Sequence, residues 1–518
     1  MKRSVILVGI IALIMYSSLF VFIPSLYTIL AGATGLFIAI IFIVTLVFRA
    51  RAPADGLKKW INVLPLYVFF LIIPFAYAIV FFVRGEFSIP LLIVMASLAF
   101  CFFYVYLNIP LAIYHKYQED KLDRKPINNY PSISIIVPAH NEEKCIAGNI
   151  ETLLEAYYPS EKEVIIVDDG STDSTYDIAM SYRDHDVKVV HRPQGGKAAA
   201  LNTGLQFAQG EIVICVDADS MVSRTSLIEI VRRFDDPDIL AVGSNVKILN
   251  RNKFLTACQA LEYVFDINIP RRALDLFGAV IVVPGCLGAF RRQSLIGSGG
   301  WDIETVVEDF DASVKICKSG AFDITNPLAP VNLDSSNYPA SDSATKLTKG
   351  GGRVVQVNSA AVVYTEAPET LKGLWNQRLR WYGGNFQTLL KHRDALRNPR
   401  FGALYHLGFP YLIIDMIFIP LAMLMVIVSA IMSVIAGDVM PLLIVLAVFI
   451  LSQFVASILA IKLDEEDLKL ALYSIFFVIG YKHIIDAVKV KAVFDVLTKR
   501  KVSWNQPARI GLFQKKPG

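Results

Sequence analysis

The sequence predicts an α/β domain with a mainly parallel sheet, placed between two groups of membrane-spanning helices. Two observations support this fold class. Hydrophobic residues make up 54% of the 518-residue chain, and the longest apolar runs lie near its two ends. The middle of the chain instead repeats a unit in which an apolar, strand-like segment ends in a polar loop and a helix-like segment follows.

The apolar runs predict where the chain crosses the membrane, because a helix of roughly 20 apolar residues spans a bilayer. Runs of this length cover residues 4–25, 27–48, 61–83, 88–113, 404–436 and 439–462. A shorter run at 470–482 leads into charged residues, so 470–497 is either a third C-terminal crossing or an interfacial or re-entrant helix. The predicted order is an N-terminal membrane region (1–115), a soluble domain (116–370), an interface helix (371–400), a C-terminal membrane region (401–497) and a basic tail (498–518).

Basic residues predict the orientation. Lys2 and Arg3, the loop 49–59 and the segment 116–125 fall on one side of the membrane if the first four spans alternate. By the positive-inside rule that side is the cytoplasm, so we expect a multi-pass protein of the plasma membrane with a cytoplasmic soluble domain. A cleaved signal peptide is disfavoured, because a second apolar run follows the first without a clear cleavage site. The side of the tail depends on the number of C-terminal crossings and stays open.

Composition excludes some classes of function. The six cysteines form no CxxC pair and have no histidine at metal-binding spacing, which is typical of reduced, structural cysteines. The formal net charge is +4, and no basic stripe interleaved with aromatic residues is present. Nucleic acid is therefore not an expected partner, whereas membrane lipids are.

Four strand-like segments define the soluble domain. They are "SISIIVPAHNEE" (132–143), "EVIIVDDGSTDST" (163–175), "VKVVHRPQGGKAAALNTGL" (187–205) and "EIVICVDADS" (211–220). Strands that are apolar throughout and alternate with helices, such as the one predicted at 145–157, indicate a parallel sheet. Ligands of such sheets bind beyond the carboxyl ends of the strands. The sequence therefore predicts one cleft that collects Asp168, Asp169, Asp217 and Asp219.

Asp217 and Asp219 leave their strand two residues apart. Mg²⁺ binds oxygen ligands and usually takes one or two carboxylates together with substrate phosphates. The pair therefore predicts a site for a cation that holds a diphosphate. The alternative for an isolated DxD pattern is a surface turn with two solvated acids.

Three further segments carry candidate chemistry. Lys197 follows two glycines and opens a helix, a setting that favours phosphate, although no P-loop pattern is present. In "VVEDFDAS" (306–313) a carboxylate could accept a proton from an attacking hydroxyl, or the acids could simply stabilise a helix N-terminus. In "PGCLGAFRR" (284–292) the glycines could let the backbone approach a ligand closely, or the segment could be a plain turn.

Taken in order, "VPAHNEE", "VDDGSTDST", "GGKAAALNTGL", "DADS", "GAFRR", "VED" and "QRLRW" resemble the membrane-integrated family 2 glycosyltransferases. That group has a GT-A (nucleotide-diphospho-sugar transferase) fold and includes cellulose, hyaluronan and poly-N-acetylglucosamine synthases. The resemblance covers about residues 130–385. It implies an enzyme that transfers a sugar with inversion from a nucleotide sugar, most often UDP-linked, with Mg²⁺ or Mn²⁺ as cofactor.

The resemblance implies an acceptor as well, and three functions remain open. In the first, the acceptor is a growing polysaccharide that the enzyme extends processively and exports through its own membrane helices. In the second, one sugar is transferred to a membrane lipid. In the third, the chain is a non-catalytic export or scaffold subunit that has kept the fold.

The resemblance also assigns residues on the donor side. Asp168, Asp169, Lys197 and Asp217 would bind the nucleotide sugar. Asp217 and Asp219 would bind the divalent cation and the diphosphate.

On the acceptor side, Asp309 would be the general base that deprotonates the acceptor hydroxyl, with Glu308 beside it. Gln377, Arg380 and Trp381 would close over the diphosphate and the acceptor sugar.

Two features depart from the pattern of this family. The position before the acids of the third acidic motif is usually threonine, and here it is Val307, so a polar neighbour is lost. Residues 321–351, rich in Ser, Asn, Pro and Gly, interrupt a segment that is short in the family and predict an inserted loop.

The segment 371–390 predicts an amphipathic helix at the membrane surface. Its apolar stripe, expected to lie in lipid, consists of Trp375, Leu379, Tyr382, Phe386, Leu389 and Leu390. Gln377, Arg380 and Trp381 project from the opposite side and should face the soluble domain. The alternative is that Trp381 anchors the helix at the interface and the arginines bind lipid headgroups.

Overall fold

A computed structural model of the chain describes residues 89–127, 129–183, 187–319, 355–437 and 439–500. The predicted spans at 4–25, 27–48 and 61–83, the insertion at 321–351 and most of the basic tail lie outside the described residues. The described chain forms two compact units. The larger unit contains residues 121–420 and 460–500, and the smaller one contains residues 89–120 and 421–459.

The larger unit is built on an eight-stranded mixed sheet. Its strands are Ile133–Ala139 (β1), Lys162–Asp168 (β2), Val187–His191 (β3), Ile212–Cys215 (β4), Ser220–Val222 (β5), Ala241–Ile248 (β6), Gly288–Arg291 (β7) and Val355–Thr365 (β8). They are arranged in the order β3-β2-β1-β4-β7-β6-β8-β5. The four predicted strands, β1 to β4, pair in parallel, as expected. The other half is mixed, because β7 runs antiparallel to β4 and β6, whereas β6 and β8 are parallel.

The burial of the strands explains why the parallel half of the sheet could be predicted from the sequence. All seven residues of β1 and the last five of β2 are buried, which matches strands covered on both faces. The edge strand β3 buries Val187 fully and exposes Lys188 and His191. A central strand therefore gives a continuous apolar run in the sequence, and an edge strand gives a weaker one.

The helices of the described residues, in chain order, are Ile89–Asp123 (α1), Ile146–Glu155 (α2), Thr175–Met180 (α3), Lys197–Phe207 (α4), Ser226–Arg232 (α5), Phe254–Glu262 (α6), Ile269–Asp275 (α7), Arg292–Gly297 (α8), Glu308–Ser319 (α9), Leu371–Lys391 (α10), Phe409–Ile413 (α11), Ile419–Ile435 (α12), Val439–Leu463 (α13), Ser474–Phe476 (α14) and Lys482–Leu497 (α15). Helices α2, α4 and α10 confirm the predicted helices at 145–157, after the Gly-Gly turn, and at 371–390. Helix α1 covers the run 88–113 that we predicted as the fourth span.

The prediction that the apolar stripe of α10 lies in lipid is wrong for part of that stripe. Phe386 and Leu389 are buried in a hydrophobic core of the larger unit, and Tyr382 packs against the same core. Amphipathic spacing requires only that the apolar face be covered. Here Phe386 and Leu389 belong to a protein core that also contains Phe310 of α9 and Phe401.

Within the residues that the structure describes, two helical segments are long and apolar enough to cross a membrane, judged by length and composition: Leu404–Ile435 and Val445–Leu463. A third candidate is a bent pair, Leu468–Phe476 with Ile479–Leu497, which meets at 74°. The sequence predicts two or three C-terminal crossings, and the number of crossings stays a prediction. The first segment also contributes Leu404, Phe409 and Met416 to the core of the larger unit, so its beginning packs against protein.

The smaller unit has a hydrophobic cluster of its own, made by residues from α1, α12 and α13. Its buried members are Val94, Leu98, Val426, Leu442, Val445 and Phe449.

The turn between α8 and α9 fixes where the acidic motif of α9 begins. Trp301 is buried, and the amide of Asn202 brackets its backbone: Nδ2 donates to the Trp301 carbonyl (2.7 Å) and Oδ1 accepts from its N–H (2.9 Å). Gly300 has a φ of +66°, and a Cβ placed there would lie 2.5 Å from Asn202 Oδ1. The turn therefore requires glycine for both its backbone conformation and its packing.

We expect Gly300→Ala to destabilise the larger unit by about 2–3 kcal/mol. A left-handed φ costs an L-residue roughly 1–2 kcal/mol, and displacing Asn202 weakens hydrogen bonds of about 1 kcal/mol each. The midpoint of thermal denaturation of the detergent-solubilised protein measures the effect. Gly297→Ala is the matched control, because Gly297 ends a helix and a Cβ added there would have no atom within 4 Å. Equal midpoints for the two variants would contradict this account.

Candidate active site

The carboxyl ends of β1, β2 and β4 border one cavity, as the parallel topology predicts. Six of the residues that we proposed from sequence lie in its wall: Asp169, Lys197, Asp217, Asp219, Glu308 and Arg380. The remaining four, Asp168, Asp309, Gln377 and Trp381, are not part of that wall. The cavity therefore unites side chains from three strand ends, from the start of α9 and from α10.

Lys197 connects the acidic groups of the cavity. Its Nζ lies 2.6 Å from Asp217 Oδ1 and 2.8 Å from Glu308 Oε1. Burial acts to lower the pKa of Lys197, but Asp217 and Glu308 outweigh burial and hold the pKa well above its ordinary value. The ammonium is therefore a fixed positive charge between the two carboxylates.

The side chains of Lys197, Asp217 and Asp309 all lie close to Gly285, which has no side chain of its own. A Cβ at this position would lie 2.8 Å from Lys197 Nζ, 3.6 Å from Asp309 Oδ2 and 3.7 Å from Asp217 Oδ1. The Gly285 N–H also donates a hydrogen bond of 3.1 Å to Asp309 Oδ2. The glycine-flanked segment 284–292 is thus more than a plain turn, because it brings Asp309 next to the Lys197–Asp217 pair.

The pKa of Asp309 is raised above its ordinary value. Burial is the largest cause and the adjacent Glu308 is the next, while Lys197 and the N–H groups of Phe310 and Gly285 act in the opposite direction. A carboxylate with a raised pKa holds a proton more strongly than an ordinary aspartate does. This is the property that a general base at this position needs.

Asp311, two residues further along α9, has the opposite behaviour. Burial alone would raise its pKa, but hydrogen bonds from His392 (2.9 Å) and Lys391 (2.7 Å) dominate and lower the pKa. Lys315 Nζ lies 3.3 Å from its other oxygen. Asp311 is therefore a permanently ionised structural acid that ties α9 to the end of α10.

The donor set of the cavity fits a hard divalent cation. Asp217 and Asp219 both lie in the wall, and Asp219 is nearly fully buried. Within the described residues, no three His, Cys, Asp or Glu side chains gather closely enough to hold a metal by themselves. Two carboxylates without a third protein ligand match Mg²⁺ or Mn²⁺ that takes its other ligands from phosphate and water.

The structure separates the two acids Asp168 and Asp169. The Asp169 carboxylate accepts hydrogen bonds from the N–H groups of Gly195 (3.0 Å) and Gly196 (2.7 Å) and pairs with Arg192. It therefore holds the Gly-Gly turn that precedes Lys197. Asp168 is fully buried, and its Oδ2 lies 2.7 Å from Nδ1 of His191.

The three residues proposed on α10 have different surroundings. Arg380 lies in the cavity wall. Gln377 Oε1 accepts a 2.5 Å hydrogen bond from Arg378, and the Trp381 ring lies 4.1 Å from the Arg378 guanidinium carbon. Sequence reasoning did not single out Arg378, because a charged residue on an amphipathic helix is usually assigned to solvent or lipid headgroups. Its place inside "QRLRW" was the one available signal.

The six cysteines all lie within the described residues, and no disulfide joins them there. Five are buried, and Cys286 is partly exposed. The reduced, structural role expected from their spacing stays a prediction.

Comparison with protein-family models gives two matches. The model "Glycosyl transferase family 2" matches residues 134–297, and the model "Glycosyl transferase family group 2" matches residues 340–461. The first range contains β1 to β4 with Asp169, Lys197 and Asp217, and the second contains α10 with Arg380.

Among curated proteins, the chain is similar to poly-beta-1,6-N-acetyl-D-glucosamine synthases. It is 30% identical to that of Staphylococcus epidermidis over 262 residues, which are 50% of this chain and 56% of the relative. It is 28% identical to that of Staphylococcus aureus over 298 residues, which are 56% of this chain and 64% of the relative. The similarity thus spans less than two thirds of the length of either relative.

Among solved structures, the chain is similar to the mannosyltransferase PcManGT from Pyrobaculum calidifontis, determined in complex with GDP-Man and Mn²⁺. The TM-score is 0.52 with 21% identity, and the match covers 80% of this chain and all of the other. At this identity the likeness establishes the fold. The chain therefore matches family 2 glycosyltransferase models in two separate segments and has a GT-A fold.

Proposed function

We propose that this chain is an inverting membrane glycosyltransferase that transfers a sugar from a nucleotide sugar to a growing polysaccharide. The observation that carries the proposal is the arrangement around Lys197. Asp217 and Asp219 offer cation ligands, Lys197 and Arg380 offer positive charge, and Asp309 lies beside them with a raised pKa. A diphosphate leaving group and an acceptor hydroxyl need such groups close to one another.

On the donor side, Asp217 and Asp219 would hold Mg²⁺ or Mn²⁺ against the diphosphate of the donor. The cation, when bound, would neutralise the charge that builds up on the leaving diphosphate. The similar mannosyltransferase was solved with Mn²⁺ and a nucleotide sugar, which supports this assignment. Lys197, already positioned between two carboxylates, would turn toward the phosphates, and Arg380 would approach them from α10.

On the acceptor side, the acceptor oxygen attacks the anomeric carbon as Asp309 takes its proton. The bond between that carbon and the phosphate oxygen breaks, and the nucleoside diphosphate leaves with the electron pair. One displacement inverts the anomeric centre. Glu308 stays next to the base and keeps its pKa raised.

The similarity to poly-beta-1,6-N-acetyl-D-glucosamine synthases supports N-acetylglucosamine from a UDP-linked donor as the first substrate to test. We propose that synthesis is processive and coupled to export through the membrane helices of the same chain. The candidate spans at Leu404–Ile435 and Val445–Leu463 follow the catalytic residues directly in the chain and support this coupling. The basic clusters support a plasma-membrane protein whose catalytic domain faces the cytoplasm.

Purified protein in lipid nanodiscs, incubated with Mn²⁺ and a panel of labelled UDP- and GDP-sugars, tests the function. We expect UDP-N-acetylglucosamine to give a ladder of high-mass products, seen on gels. Asp309→Asn should lower kcat at least about a hundredfold, since proton transfer by a positioned base contributes at least that factor. Its donor affinity should stay within about twofold of wild type, because the substitution keeps the shape of the side chain.

The outcomes of this assay separate the candidate functions. A single product that extracts into organic solvent would identify a lipid glycosyltransferase instead. Lack of turnover of every donor, with and without added acceptors, would indicate a non-catalytic subunit.

Lys197→Met should change the binding of donor and cation in opposite directions. Donor affinity should fall about tenfold, which is about the loss of one charged hydrogen bond of 1.5 kcal/mol. Binding of Mn²⁺ without nucleotide should become tighter, because Asp217 and Glu308 lose their competing cation. Isothermal calorimetry with UDP-N-acetylglucosamine and electron paramagnetic resonance of Mn²⁺ measure the two effects.

The control for Lys197 is Lys188→Met. Lys188 lies opposite Ile165 in the middle of β2, away from the carboxyl end that borders the cavity, and pairs with Glu163. Its replacement should leave both affinities unchanged. Weaker Mn²⁺ binding by Lys197→Met would contradict the role given to this ammonium.

The pH profile tests Asp309 as the base. A base must be ionised, so kcat/KM should fall as the pH drops through the raised pKa of Asp309, above the ordinary aspartate value of about 3.9. Glu308→Gln removes a negative neighbour that raises this pKa, and the acidic limb should move to lower pH. Glu304→Gln, at an exposed position just before α9, should leave the limb in place. A shift of the limb to higher pH in Glu308→Gln would contradict the assignment.

A further inference from the structure

We infer that Arg378 is the positioning residue of the acceptor site, and that Glu262 and Tyr481 hold it so that it fixes Trp381 and Gln377. This inference rests on the proposed function for the cavity and gives a role to residues that are not part of the cavity wall. Arg378 itself does not touch the reacting atoms. It acts through the two side chains that we expect to contact the acceptor sugar.

The pair Glu262–Arg378 is a fully desolvated ion pair. Arg378 is completely buried and Glu262 is nearly so. Arg378 donates from Nε to Glu262 Oε1 (3.1 Å) and from Nη2 to Glu262 Oε2 (2.6 Å). This two-point contact fixes the plane of the guanidinium, which a single contact would leave free to rotate.

The remaining surface of the same guanidinium contacts the acceptor-side residues. Nη1 donates to Gln377 Oε1 at 2.5 Å, and the guanidinium carbon lies 4.1 Å from the centroid of the Trp381 ring. Tyr263 adds an edge contact to the Trp381 ring at 6.3 Å. Trp381 is thus held on one side while part of its surface stays exposed. A sugar that stacks on an indole needs the plane of that ring to be fixed.

Tyr481 is the third member of the network. Its hydroxyl donates to Glu262 Oε2 at 2.6 Å, and its ring stacks on Phe477 with centroids 5.6 Å apart. Tyr481 follows the break in the bent helix pair, where Ile479 and Gly480 leave helical geometry. The orientation of Trp381 therefore depends on a residue more than a hundred positions away from Gln377 along the chain.

Arginine is required for this role because of its shape. A planar guanidinium can make a two-point contact with a carboxylate, donate to an amide and stack on an indole at once. A lysine ammonium keeps the charge but can neither lie flat against a ring nor fork to a carboxylate. Arg378→Lys therefore separates the positioning role from the simple need for a buried positive charge.

The chain contains a matched pair with no acceptor-side contacts. Arg272 and Asp464 are as deeply buried as Glu262 and Arg378, and Arg272 Nη2 lies 2.5 Å from Asp464 Oδ1. Arg272 also donates to the carbonyl of Leu463 (3.2 Å). Arg272→Lys therefore perturbs a buried ion pair of the same chemistry without touching Gln377 or Trp381.

The test compares transfer with hydrolysis in nanodiscs, using UDP-N-acetylglucosamine and a short β-1,6-linked N-acetylglucosamine oligosaccharide as acceptor. Arg378→Lys should raise the acceptor KM about tenfold, as expected for weakening charged and cation–π contacts together. The donor KM and the rate of donor hydrolysis should stay within about twofold of wild type. Arg272→Lys should lower thermal stability to a similar extent and leave the acceptor KM unchanged.

Fluorescence gives a readout that does not depend on turnover. The emission of the Trp381 indole is obtained by subtracting the spectrum of the matching Trp381→Phe variant from the spectrum of each protein. We expect this emission to shift in Arg378→Lys and, to a smaller extent, in Tyr481→Phe, which removes a single hydrogen bond. It should not shift in Arg272→Lys.

The outcomes distinguish this inference from the proposed function. If the wild-type protein turns over no donor, the proposed function fails, while the emission of indole 381 still tests the positioning role. An unchanged acceptor KM in an active Arg378→Lys protein would overturn the inference, as would an equal change in Arg272→Lys. If Arg378→Lys cannot be purified, Tyr481→Phe takes its place. The inference would then be overturned if Tyr481→Phe had the same emission of indole 381 and the same acceptor KM as the wild-type protein.

Discussion

The ammonium of Lys197 is the charge on which the arrangement of the cavity depends. Asp217 lies just after the end of β4, and Glu308 lies at the start of α9, more than ninety residues later. These carboxylates repel each other and repel Asp309, so a counter-charge must lie between them. Lys197 provides this counter-charge, with Nζ 2.6 Å from Asp217 and 2.8 Å from Glu308. It lies in the cavity wall because Asp169 holds the Gly-Gly turn from which α4 begins. A nucleoside diphosphate bound to a divalent cation likewise combines negative oxygens with a positive charge.

The two arginines of α10 at positions 378 and 380 lie in different environments. Arg380 lies in the cavity wall, while Arg378, two residues earlier, is buried against Glu262. The apolar side of the helix packs Phe386 and Leu389 into the protein core. A helix anchored on both sides holds its side chains at fixed positions.

Each of the two family matches contains residues of the cavity wall. Family models match the range that contains Asp169, Asp217 and Asp219 and, separately, the range that contains α10 and most of both candidate spans. The relatives named as polysaccharide synthases share about half of this chain. The Glu262–Arg378–Tyr481 network joins α10 to the bent helix pair, which is itself a candidate membrane segment.

The sequence by itself determined the parallel half of the sheet, the helices that follow it and the cluster of acids at its edge. Those features are local, because each central strand is a continuous apolar run and each acid directly follows one. Only the tertiary structure decided the state of individual side chains. Asp309 and Asp311 are two residues apart, yet their pKa values shift in opposite directions, because His392 and Lys391 reach only Asp311. Likewise, Arg378 is buried and Arg380 is not, because Glu262 lies on one side of the helix. The pKa shift and the burial of a side chain depend on neighbours that are distant in the chain. Spacing along the sequence does not reveal those neighbours.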